Sequence, residues 1–82
     1  METGAGVLEL DLHGKTQYQA RLAIDAALRR AKGLYRLRLI HGYRRGSGIK
    51  EMILATYAAD PRVLRIAAGG NPGQTELVLR EY

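Results

Sequence analysis

Two short runs of alternating apolar and polar residues each end in His-Gly, with an amphipathic stretch between them. No other feature of the chain constrains its fold as much. In the first run, Leu8, Leu10 and Leu12 alternate with Glu9 and Asp11 ahead of His13-Gly14. In the second, Tyr35 to Ile40, Leu37 and Leu39 alternate with Arg36 and Arg38 ahead of His41-Gly42. Period-two alternation over so few residues predicts strands with one buried face. Between them Ala20, Ala23, Ile24, Ala27, Leu28 and Ala31 recur at helical spacing. Thr16 is placed to cap that helix, and Gly33 suits a left-handed position after it.

The remaining chain reads in the same way. Ile49, Met52, Ile53 and Tyr57 predict a shorter amphipathic helix, with Tyr57 in the core and Pro61 as its stop. Val63, Leu64, Ile66 and Ala67 suggest a third strand. Gly69-Gly70-Asn71-Pro72-Gly73 is a dense turn signal, and Thr75 to Arg80 alternates again. The predicted order is β-α-β-α-β-β, an α/β fold with a small, largely parallel sheet closed by a hairpin. At 82 residues the chain has room for one domain, residues 1–82, with 1–6 as a flexible lead.

Composition then narrows the chemistry. Without Cys there is no disulfide, no thiolate nucleophile and no Cys-built zinc site. No apolar run is long enough to span a bilayer and no signal-peptide pattern is present, so a soluble, cytoplasmic protein is expected; the sequence leaves its oligomeric state open, with a monomer favoured. The net charge is +5, and its distribution matters more than its sum. From Arg29 to Lys50 there are eight basic residues and no acidic one. Such a block suits a phosphate-binding surface, and equally a solvated face that keeps a small protein soluble.

The two histidines, the only ones in the chain, occupy equivalent places. If both strands are parallel, both imidazoles emerge at strand carboxyl ends, where open α/β sheets build their sites. Asp11 and His13 share a strand face, so the carboxylate can orient the ring, raise its basicity or share a metal ion with it. Each feature also has a structural reading: a capped strand-end histidine, an Asp that caps a turn, and Gly46-Ser47-Gly48 as the plain start of a helix.

Leu10-Asp11-Leu12-His13-Gly14 is the Leu-Asp-Leu-His-Gly signature of the Smr (small MutS-related) domain, which the chain resembles from about Val7 to Leu79. The family's second motif, His-Gly-any-Gly, is partly present as His41-Gly42-Tyr43-Arg44, and Gly73-Gln74-Thr75 resembles the turn before its last strand. Arg44 stands where the motif has its final glycine, with Gly46 and Gly48 just beyond. The resemblance implies a two-layer sandwich like the C-terminal domain of translation initiation factor three, in a free-standing member of the family. It also implies cleavage or nicking of DNA or structured RNA, in repair, recombination or ribosome-associated processing.

On that basis Asp11, His13 and His41 are the expected catalytic residues, with His13 as base or metal-linked ligand and His41 as acid or phosphate donor. Gly42, Tyr43, Arg44, Arg45, Gly46, Ser47, Gly48, Lys50, Arg36 and Arg38 are the expected nucleic-acid contacts, Tyr43 being the tyrosine placed to stack on a base. A divalent ion, Mg2+ or Mn2+, is a candidate cofactor, needed more for DNA than for RNA. The alternative is a non-catalytic module that binds DNA, RNA or the ribosome through the basic 29–50 region. A third reading has the last strand pairing with a partner or a second copy as an exposed edge.

Overall fold

The computed structural model describes residues 6–42 and 48–81. Its elements follow the order β1 (Val7–Asp11), α1 (Gln17–Arg29), β2 (Arg36–Ile40), α2 (Ile49–Tyr57), β3 (Arg65–Ala68) and β4 (Gln74–Val78). This is the α/β fold the sequence predicts, with one sheet and two helices. The sheet is mixed rather than largely parallel: its spatial order is β1-β2-β4-β3, and only β1 with β2 runs parallel. The last strand inserts between β2 and β3, so it is an interior strand and not the free edge that the third reading requires.

α1 is secured at its start by a complete capping box. The Thr16 hydroxyl accepts from the Gln19 N–H (3.1 Å), and the Gln19 side chain accepts from the Thr16 N–H (3.0 Å). The helix ends with Arg30 as its C-cap, and Gly33 takes its left-handed conformation three residues later, in the turn to β2. Both helices lie on one face of the sheet. Ala20, Ile24, Ala27 and Leu28 of α1 and Ile49, Met52, Ile53 and Tyr57 of α2 close over Leu12, Leu37, Leu39 and Leu77. Burying a side chain the size of Ile24 stabilises by about 1.5–3 kcal/mol relative to leaving it exposed. The Tyr57 hydroxyl donates to Asp25 Oδ1 at 2.8 Å, tying α2 to α1 from inside the core. Burial, with the Asp25 carboxylate beside it, pushes the Tyr57 phenol well above its ordinary range.

The opposite face carries Glu9, Arg36, Arg38 and Glu76, and among the described elements none covers it. Glu76 is only 5% exposed. Arg36 Nη1 donates to its Oε1 at 2.6 Å and Arg38 Nε to its Oε2 at 2.9 Å, while Arg38 also reaches Glu9 at 3.4 Å. Burial alone would raise the Glu76 carboxyl. The hydrogen bonds and charges of the two arginines outweigh it and hold the group below the ordinary glutamate value. No described helix is long and apolar enough to cross a membrane.

A carboxylate pinned this way adds stability above the unfolded-state pKa of 4.5 and loses it as pH falls through the lower native value. Glu76→Ala leaves two guanidinium groups facing a buried gap, a loss of about 2–3 kcal/mol given that both arginines keep partial solvent access. Urea unfolding at neutral pH checks the loss. The difference in stability between the wild type and Glu76→Gln shrinks as the pH is taken below about 4.5; a difference constant across that range excludes the carboxylate as its source.

Candidate functional site

The parallel pairing of β1 with β2 brings the two His-Gly turns side by side. The register sets Asp11 against Ile40, and the Leu12 N–H donates to the Ile40 carbonyl at 2.7 Å, one residue beyond the end of β1. His13 and Gly42 therefore leave the sheet at the same edge. A Cβ at position 42 would lie 3.9 Å from the His13 Cβ, so the two turns are in contact. Gly42 has φ +82, a conformation that favours glycine, and this lets β2 end flush against His13.

His13 and Asp11 form a pair held by the local chain. Asp11 Oδ1 accepts from the His13 backbone N–H at 3.1 Å and lies 2.7 Å from ring Nδ1. The hydrogen bond from the His13 ring, and then the one from its backbone N–H, hold the Asp11 carboxyl below the ordinary aspartate range. Asp11 is thus an ionised acceptor at neutral pH, and the proton of a neutral His13 resides on Nδ1. Nε2 keeps its lone pair, and the side chain is 73% exposed. This is the arrangement of a general base open to a large substrate.

His41 is employed differently. It is 7% exposed, with Nδ1 at 2.9 Å from the Gly42 carbonyl and Nε2 at 2.8 Å from Thr75 Oγ1. The carbonyl can only accept, so Nδ1 carries a proton, and the Thr75 hydroxyl donates to Nε2 when the ring is neutral. The backbone N–H groups of His41 and Gly42 both donate to the Gly73 carbonyl at 3.0 Å. Gly73 is in turn anchored by its N–H to Asn71 Oδ1 at 2.9 Å. The second His-Gly turn is therefore clamped onto the β3–β4 turn, and neither its imidazole nor its first two N–H groups face outward.

The start of α2 joins the same edge. Its N-cap, Gly48, has φ +69, a conformation that favours glycine, and the end of the Gln17 side chain packs beside it. Lys50 is exposed on the first turn of α2. Tyr43, Arg44, Arg45, Gly46 and Ser47 fall outside the described residues, in the segment joining Gly42 to Gly48. Arg36 and Arg38 point to the uncovered sheet face, where Glu76 and Glu9 neutralise them. The basic block of the sequence is thus not one surface: Arg29, Arg30 and Lys32 sit at the far end of α1, away from the histidines. Sequence reasoning missed Gln17 and Asn71. A glutamine just after a helix cap and an asparagine in a Gly-Pro turn carry no signal until the turns are seen to meet.

Among the described residues no group of three His, Asp or Glu side chains is placed to hold a metal ion. Asp11 and His13 supply one carboxylate and one ring nitrogen, short of a four- or six-ligand shell. These side chains do not by themselves build a resident metal site. The geometry of the Asp11–His13 pair has a direct check. By carboxyl-carbon NMR, Asp11 titrates below 3.8 in the native protein and returns toward that value in His13→Ala; an unchanged titration would mean the pair does not form in solution.

A family model described as the Smr domain matches residues 10–79. Among solved structures, the crystal structure of the Smr domain of Thermus thermophilus MutS2 superposes with a TM-score of 0.77 at 38% identity. It covers 90% of this chain and 99% of that one. No curated protein matches the sequence. The matched region runs from the first strand to the segment after the last and includes Asp11, His13, His41 and Thr75; the chain belongs to the Smr domain family.

Proposed function

We propose that the protein is a nucleic-acid endonuclease in which His13 is the general base. The observation that carries this reading is the Asp11–His13 pair, exposed at the strand edge with Nε2 unpartnered among the described residues and Gly42 beside it. Nε2 takes the proton from the attacking oxygen, a water or a ribose 2′-hydroxyl, and Asp11 stabilises the imidazolium that forms. His41 acts as a positioning residue: its bonds to Thr75 and the Gly42 carbonyl hold the second turn against His13. Because the His41 and Gly42 N–H groups already serve Gly73, charge on the phosphate is met from further along the chain. Lys50, exposed on the first turn of α2, is the cation assigned to this, with Arg44 and Arg45 of the same stretch of sequence. Mg2+ or Mn2+ is proposed only as an ion arriving with the substrate phosphates, and the proton transfer above does not depend on it.

A binding module without chemistry is the second reading, favoured by the same engaged turn and by Arg44 in place of the motif glycine. One experiment separates the two. Supercoiled circular DNA and a structured RNA are incubated with the protein, with and without a chelator, beside His13→Ala. The nuclease reading expects cleavage that falls by about 10²–10⁴-fold in the variant, with an unchanged circular dichroism spectrum. Salt-sensitive binding without product from either substrate establishes the module instead. Cleavage undiminished in the variant removes His13 from the mechanism.

A further inference from the structure

The sheet edge opposite His13 is the other place where charge collects. There the end of α1, the turn into β2, the α2–β3 loop and the segment after β4 border an open concavity of about 290 Å3. Leu28, Ala31 and Leu79 line it together with Arg29, Lys32, Arg62 and Arg80. Arg62 is already neutralised, with its guanidinium 2.8 Å from Asp60 and 3.4 Å from Asp25. Arg29, Lys32 and Arg80 are exposed and make no ion pair among the described residues. Arg36, Arg38 and Arg65, by contrast, each hold a carboxylate.

Three like charges from three segments repel one another, and among the described residues no carboxylate pairs with them. The main-chain N–H groups of Leu79 and Arg80 both donate to the Tyr35 carbonyl, at 2.7 and 3.3 Å, which anchors Arg80 beside the turn carrying Lys32. A cation at a helix C-terminus complements the helix dipole, and this accounts for Arg29. It does not account for Arg80, which follows a strand. The concavity is open and walled by charge, so it suits an anionic group on a large ligand better than an enclosed small molecule.

We infer that Arg29, Lys32 and Arg80 form a second phosphate site, which holds the backbone of a nucleic acid at a distance from the bond facing His13. This rests on the nucleic-acid reading above and extends it. α1, 13 residues long, separates the two sites by about 20 Å at 1.5 Å per residue. At 3.4 Å per nucleotide along a strand, the gap is about six nucleotides. The contact reads no bases; it fixes where the strand lies relative to the reacting group.

The test uses the full chain and fluorescence anisotropy over a salt series, with labelled single strands of 24 and of four nucleotides. Compared are the wild type, the double variant Lys32→Ala/Arg80→Ala, and Arg21→Ala as a control for lost charge elsewhere. The double variant is expected to bind the 24-mer about tenfold more weakly, with a salt slope shallower by about 1.4, corresponding to two lost phosphate contacts. Its affinity for the 4-mer and its melting temperature stay those of the wild type. Wild-type affinity for the 24-mer in the double variant overturns the site. So does an equal loss on both strands, or an equal loss in Arg21→Ala. Should the wild type bind neither strand, the nucleic-acid reading falls and this site with it; wild-type binding insensitive to the double variant removes this site alone.

Discussion

The parallel ladder between β1 and β2 is the constraint on which everything else depends. A parallel pair needs a crossover, and α1 supplies it, starting at the carboxyl end of β1 and returning to the amino end of β2. The register then decides the chemistry. Asp11 opposite Ile40 sets His13 beside Gly42. A slip of one residue would turn Leu37 and Leu39 out of the core and carry the second turn away from the first.

The helices and most strands were legible because their signals are local. Leucines two apart, a Thr-capped stripe and a Gly-Pro turn each describe their own segment. The position of β4 was not legible, because its partners lie far away in sequence: Glu76 meets Arg36 and Arg38 across 40 and 38 positions. The same remoteness made the basic block misleading. Read along the chain, Arg29 to Lys50 is one patch; folded, its middle is neutralised by carboxylates from other strands and its two ends face opposite edges.

Part of the candidate site was legible in the sequence, and the different settings of its two histidines were not. Period two was enough to place Asp11 and His13 on one strand face, and the structure closes that pair at 2.7 Å. For His41 the deciding neighbour is Thr75, 34 residues on, and nothing near His41 in sequence announces it. Two histidines that look alike as His-Gly therefore end in opposite environments. One ring is largely exposed, with a nitrogen unpartnered among the described residues, while the other is built into the packing between two turns.

The uncovered sheet face has one more consequence. At its centre lies a carboxylate already satisfied by two guanidinium groups, so a neighbouring domain set against it would find few unpaired donors and little apolar area to bury. Interfaces of that kind hold weakly, and relative motion is the default where no large apolar contact forms. Joined to another folded unit by a linker, the domain would swing as an independent body with that face toward water.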